Sequence, residues 1–219
     1  MSIYKGINPS SVSVYETQTN KLFELSSTND GITSFQYRSG SLKADGVTPT
    51  ISGSYYNSLL VNFYLSGSYK DTDTRIEGGR FYGHHFGLLD EVKPQHRNKF
   101  HSKGSVVLIS QHYFGEKIKR ESFKLTSGKV TLKDDGFGNL YSTTLTHTSS
   151  ADTSISSSKN YKGNIFYHKG VVTITDTGSY GDVNFVDLTT GSFNLSFNST
   201  HTIFTQEHEI VIKPGEYNS

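Results

Sequence analysis

Six side chains able to bind a metal crowd one stretch of this chain: His84, His85, Asp90, Glu91, His96 and His101. Imidazole with carboxylate is a ligand set for zinc or another transition metal. The spacing fits no recognised framework, because no His-Glu-x-x-His helix is present. His84, His85, His96 and His101 are therefore carried as candidate ligands against a simpler reading as solvated or interfacial histidines. Asp71 and Asp73 lack the further oxygen ligands of a calcium loop and read as a polar turn. Asp134 and Asp135 imitate an acid/base pair, but neighbouring side chains of a strand point apart, so turn capping is the expectation. There is no Gly-x-Ser-x-Gly elbow and no phosphate loop ending in Lys-Ser/Thr. The residues thus predict no catalytic group, no cofactor and no enzyme.

A basic run raises a different chemistry. Lys117, Lys119, Arg120, Lys124, Lys129 and Lys133 could touch phosphates, with Phe114 and Phe123 stacking on bases. Glu116, Glu121, Asp134 and Asp135 interrupt that field, which favours charged strand edges that resist aberrant pairing. The formal net charge of +1 gives no general pull toward nucleic acid or an anionic membrane. The chain has no cysteine, which removes disulfides and thiolate chemistry and is compatible with a reducing cytoplasm. Its N-terminus, Met1-Ser-Ile-Tyr-Lys-Gly-Ile-Asn-Pro, lacks the apolar core of a signal peptide, and no window is apolar enough to span a bilayer. A protein neither secreted by that route nor embedded in a membrane is expected.

The elements that would position these groups read as strands. Aromatics reach 13% through 14 Tyr and 14 Phe, while all hydrophobic residues make up only 33%. That balance suits half-buried pleated faces. Phe23 and Leu25 alternate, as do Phe35 with Tyr37, and Phe193, Leu195 and Phe197. Phe123 and Leu125 face Val130 and Leu132 across a tight turn at Ser127-Gly128. Gly136 and Gly138, within Asp134-Asp-Gly-Phe-Gly-Asn, supply positive φ for a second turn, and Gly170 closes a hairpin after His168-Lys. A strand over Ile203 to Ile212 would end before Pro214. Tyr56, Leu59, Leu60 and Phe63 fit helical spacing instead, with Ser52 or Ser54 as cap, while the same segment also allows a strand with Leu59, Val61, Phe63 and Leu65 inward. Thr146 to Asn160 reads as a surface loop.

The spacing predicts an all-β fold, mainly an antiparallel β-sandwich or jelly roll, with one short helix, long loops and extended termini. A single domain is expected over 1–219. Residues 1–15 and 207–219 are predicted arms, and 71–105 is a long excursion suited to binding. Tyr4, Tyr15, Tyr82, Phe86, Ile210, Ile212 and Tyr217 are the candidate partner contacts. A rival reading uses Tyr55, Tyr56, Tyr64, Tyr82 and Phe86 as platforms for sugar rings; aromatics packed in the core are the commoner use.

An ordered series of short motifs carries a resemblance. It comprises Phe114-Gly-Glu-Lys-Ile, Ser122-Phe-Lys-Leu, Asp134-Asp-Gly-Phe-Gly-Asn-Leu-Tyr, Gly163-Asn-Ile-Phe-Tyr, Gly170-Val-Val-Thr-Ile-Thr and Ser199-Thr-His-Thr-Ile-Phe. The last stretch, Glu207-His-Glu-Ile-Val-Ile-Lys-Pro, belongs to it too. The series resembles structural proteins of tailed-bacteriophage virions of the aquatic-phage type, over roughly the second half of the chain. The resemblance implies a non-enzymatic, multi-copy building block of the tail or baseplate, assembled in the host bacterial cytoplasm and residing in the virion. Its implied partners are other virion proteins and copies of itself. A surface glycan bound at a tail tip, or a place as a head decoration protein, is the alternative.

Overall fold

The computed structural model describes residues 12–64, 100–148, 154–155, 160–175, 179–180 and 183–208. Contacts divide the chain into two units, Asn20–Thr200 and Met1–Thr19 with His201–Ser219. The described chain is mostly β-strand, with the short helix Ile51–Leu59, a single helical turn at Gln111–Phe114 and long connections. Its strands are β1 (Val12–Ser26), β2 (Thr33–Arg38), β3 (Lys103–Leu108), β4 (Lys117–Ile118), β5 (Lys124–Ser127), β6 (Val130–Asp134) and β7 (Asn139–Ser142). They continue with β8 (Tyr161–Phe166), β9 (Val171–Ile174), β10 (Ser179–Tyr180), β11 (Val183–Asn184) and β12 (Asn194–His208). The main sheet is ordered β1-β12-β5-β6-β7-β8-β9-β3-β2, with β4 paired to β12 and β10 and β11 forming a separate pair. Among the described residues, β5 through β9, β3 and β2 join by antiparallel ladders.

Local chemistry places the hairpins. The β5–β6 turn follows Ser127, with Gly128 at φ 56°, and the β6–β7 turn uses Gly136 and Gly138 at φ 78° and 87°. These are left-handed conformations that an L side chain resists and glycine adopts freely. Gly170, at φ 61°, ends the β8–β9 turn. A Cβ there would meet the Phe114 ring and would lie 2.6 Å from the Ile109 carbonyl oxygen.

Two clusters divide the core. The larger gathers Leu125, Leu132, Leu140, Ile165, Val172, Ile174, Leu195 and Phe197 on one face of the sheet, with Phe23 stacked on Phe197 at 6.0 Å. The smaller lies on the other face of β2, β3, β8 and β9, where Tyr37, Val106, Phe166 and Val171 meet the helix. Helix α1 (Ile51–Leu59) continues into a five-residue π-helical turn, Leu60–Tyr64. Tyr56, Leu59, Leu60 and Phe63 pack inward at the expected helical spacing. The cap is Thr50 rather than Ser52 or Ser54: its hydroxyl accepts from the Gly53 amide at 3.2 Å and donates to Ser41 Oγ at 2.7 Å. That second bond anchors the helix start to the preceding loop, which neither serine inside the helix could do.

Other boundaries shift as well. β1 starts at Val12, well before the apolar alternation at Phe23 and Leu25, because it pairs with β12 through polar residues. The excursion ends sooner than residue 105, since Lys103 already pairs with Arg38 in the β2–β3 ladder. Within the expected loop after Thr146, residues 154–155 and 160 are described and Asn160 is buried; Leu145–His147 at its start is a 3-10 turn with His147 buried. Among the described residues no helix is long and apolar enough to cross a membrane.

Gly170→Ala tests the close approach at the β8–β9 turn. It should lower stability by about 2 kcal/mol or more, combining left-handed strain with a steric shift of Phe114. Urea denaturation checks this; a loss below about 0.5 kcal/mol, the scatter of ordinary surface changes, would refute it.

Candidate functional site

The end of β6 is organised around one carboxylate. Asp134 is buried, and its Oδ2 accepts from the Glu121 amide at 2.7 Å and from the Tyr167 hydroxyl at 2.7 Å. Its Oδ1 accepts from the Phe123 amide at 2.9 Å. Asp135 caps the adjoining turn, its Oδ1 accepting from the amides of Phe137 at 2.8 Å and Asn139 at 3.1 Å. The two aspartates therefore act as turn and strand anchors, as their adjacency predicts. Burial pushes the Asp134 carboxyl above the usual carboxylate range, a rise that its hydrogen bonds, the Tyr167 hydroxyl first, partly offset. Burial also raises the Tyr167 phenol, followed by the charge of Asp134.

Asp134 holds a strained neighbour. Glu121 has φ 63°, the one non-glycine positive φ among the described residues. Its amide is held by Asp134, while Arg120 donates to the Gly136 carbonyl at 2.8 Å and lies 5.1 Å from the Tyr167 ring centre. The Glu121 side chain is exposed and passes close to Gly136, where a Cβ would meet Glu121 Cγ at 2.7 Å. A pocket of about 390 Å³ opens here, lined by Glu121, Lys133, Asp134, Asp135, Tyr141 and Tyr161.

That pocket sits on one row of the sheet's outer face. Ser196 pairs with Lys124 across β12–β5, Lys124 with Lys133 across β5–β6, Lys133 with Tyr141, and Tyr141 with Tyr161. The same alternation sends Leu125 and Leu132 into the core and Lys124 and Lys133 to solvent. A second pocket of about 420 Å³ lies at the other end, lined by Glu24, Ser26, Asp30, Lys124, Thr126, Asn194, Leu195 and Ser196. Each pocket couples one lysine with carboxylates and hydroxyl groups. Burial and then the charges of Asp134, Asp135 and Glu121 raise the Tyr141 phenol.

The residues singled out from sequence distribute unevenly. His84, His85, His96, Tyr82 and Phe86 lie outside the described residues, as do Tyr4, Ile210, Ile212 and Tyr217. His101 is described, at the approach to β3, and no group of three or more His, Asp or Glu side chains able to hold a metal occurs among the described residues. Phe114 and Phe123 are core residues and cannot stack on bases. Edge protection does not explain Lys124 and Lys133 either, because β5 and β6 are interior strands. Tyr56 and Tyr64 stack on Phe100, at 5.0 and 4.3 Å, and Tyr55 lies tilted against Phe35 at 4.1 Å, so these rings serve packing between helix and sheet. Tyr15 is exposed on β1.

Sequence reasoning missed the outer row. Alternation about the Ser127-Gly128 turn carried the signal for Lys124 and Lys133, but Tyr161 joins only through a register shift between Leu140 and Tyr141. It also missed His147, whose buried ring exchanges a hydrogen bond with Ser142 at 2.6 Å and meets Phe185 edge-on. Burial, then the nearby charge of Lys162, lowers its pKa. No protein-family model, curated protein or solved structure matches this chain.

Two substitutions test this junction. Glu121→Gly should raise stability by about 1 kcal/mol, because glycine adopts the left-handed turn without Cβ strain; a destabilised variant in denaturant titration would show that the side chain itself holds the turn. Asp134→Asn places an amide NH₂ against donors and should cost about 1–3 kcal/mol. The folded-state pKa of Asp134 is raised, so its favourable contribution is full below the unfolded carboxylate pKa and is lost as pH rises through the folded value. The cost of Asp134→Asn should therefore be larger at about pH 3 than at about pH 7, and equal costs in melts at the two pH values would contradict this.

Proposed function

We propose that the chain is a non-enzymatic structural component of a tailed-phage virion, in the tail or baseplate region, present in several copies. Head decoration is the nearest variant of that role. The serial motifs of the second half support the reading by resemblance, and one structural observation carries it. Residues 12–19 and 201–208, the described part of the second unit, expose Val14, Tyr15, Ile203 and Phe204 at 63, 52, 51 and 65%. Here β1 pairs with β12, and Thr19 Oγ1 donates to the His201 carbonyl at 3.4 Å. A two-stranded ribbon is marginal alone in water, and apolar groups along it gain most when a partner covers them. Among the described residues β1 ends the sheet, so its outer edge can accept a strand from a neighbouring subunit.

The internal architecture suits a scaffold. Asp134 and Asp135 spend their oxygens on backbone amides and a buried phenol rather than presenting them to a substrate. Closure of the sheet as an antiparallel sandwich or jelly roll belongs to the same proposal, supported by one core cluster that draws on β1, β3, β5, β6, β7, β8, β9 and β12.

Deleting residues 1–15 or 207–219 should leave a cooperatively melting β protein that no longer joins particles. Circular dichroism and sedimentation of particles assembled with each truncated chain measure the two properties. Normal incorporation of both truncated chains would overturn the assembly role of these segments.

A further inference from the structure

We propose that β1 pairs edge to edge with β1 of a second copy of this chain, antiparallel and in a register centred on Gln18. This rests on the reading of β1 as an assembly edge and names the strand that occupies it. Every residue of β1 from Ser13 to Leu22 is exposed. Among the described residues the strand has β12 on one side and no strand on the other. Edge strands are commonly blunted by proline or by several lysines. β1 carries no proline and a single lysine, Lys21, so its outer edge stays open to pairing.

The sequence of the strand selects the partner. A two-fold axis normal to the sheet turns one copy into the other without exchanging faces, and directly opposed residues of an antiparallel pair share a face. A symmetric pairing must therefore centre on a residue rather than between two. Centring on Gln18 sets Thr17 against Thr19, Glu16 against Asn20, Tyr15 against Lys21 and Val14 against Leu22, with each pair made twice. These are a hydroxyl pair, a carboxylate with an amide, a ring with a cation, and two exposed apolar side chains that cover each other. Neighbouring registers lose the match. Centring on Thr17 sets Val14 against Asn20, centring on Thr19 sets Glu16 against Leu22, and centring on Asn20 sets Glu16 against Glu24. An unrelated partner strand gives no reason for β1 to be matched to itself about one point. A second copy does, and such an isologous contact closes at two chains.

The purified full chain is tested by sedimentation equilibrium, where it should dimerise. Val14→Lys or Leu22→Glu alone should weaken the dimer about tenfold, since each changes two cross-strand pairs at once. The two substitutions combined should restore it, because position 14 of one copy faces position 22 of the other. Within one chain these positions lie about 26 Å apart along the strand and cannot compensate each other. The chain has no cysteine, so a single introduced thiol reports the register directly. Under mild oxidation Gln18→Cys should form a disulfide-linked dimer faster than Thr17→Cys or Thr19→Cys, because only position 18 faces itself. A monomer at all concentrations, no recovery in the double variant, or fastest cross-linking at position 17 or 19 would overturn the pairing. None of these measurements involves particles, so their failure strikes this pairing alone and leaves the virion role to particle incorporation.

Discussion

Everything in the larger unit follows from β8. Each of its residues, Tyr161 to Phe166, is buried, and its neighbour β9 and, next in the sheet, β3 are buried along most of their length. A strand hidden on both faces needs cover on both faces. On one side the sheet supplies it from its own distant strands, β5, β6 and β12; on the other, α1 and the π-helical turn do. Gly163 makes the close approach feasible, since a Cβ there would collide with the Thr173 carbonyl on β9. The burial leaves the Tyr37 and Ser105 hydroxyls without a hydrogen bond among the described residues, but the side chain of Asn164 is satisfied sideways: Tyr64 donates to Asn164 Oδ1 at 3.1 Å, and Asn164 Nδ2 donates to the Gly138 carbonyl at 3.1 Å. One network therefore links the helix, the central strand and the β6–β7 turn.

That linkage explains why the Asp134 junction tolerates strain. Tyr167, which follows β8, brings its hydroxyl to Asp134 and accepts from the Gly138 amide at 3.2 Å. The carboxylate is thereby fixed from the core side before it meets the Glu121 amide. A left-handed glutamate costs of order 1–2 kcal/mol, and one charge-assisted hydrogen bond donated to a fixed acceptor is of comparable size. The strain at Glu121 is thus an outcome of packing on β8, and it demands no catalytic explanation.

What was legible in the sequence was local. The turns at Gly128, Gly136, Gly138 and Gly170, the alternation of Phe193, Leu195 and Phe197, and the helical spacing of Tyr56, Leu59, Leu60 and Phe63 all depend on neighbours within a few positions. Strand order was not legible: β12 sits between β1 and β5, and β3 beside β9, through contacts far apart in sequence. The outer part of β1 escaped notice for another reason, since its exposed polar residues carry no core-facing alternation. Burial of Tyr56 and Tyr64 was equally hidden, because the spacing that makes a tyrosine pack on a sheet also suits a tyrosine displayed to a ligand. Contacts distant in sequence decide between the two: Phe100 lies against both rings, Tyr37 against Tyr56 and Phe166 against Tyr64.

The outer row of lysines and tyrosine stands apart from these constraints. The period of two that commits Leu125 and Leu132 to the core leaves Lys124, Thr126, Thr131 and Lys133 without structural duties beyond keeping their strands in register. Substituting them leaves the core volume untouched, so their chemistry is free to follow whatever lies against the sheet. A lysine pair at the middle of such a face is informative for that reason. Stability would favour opposite charges or a hydroxyl pair there, as Thr126 and Thr131 provide one step along the same ladder. The departure falls between the two pockets, where Glu24 and Asp30 beside Lys124, and Glu121, Asp134 and Asp135 beside Lys133, offset the repulsion within the face itself.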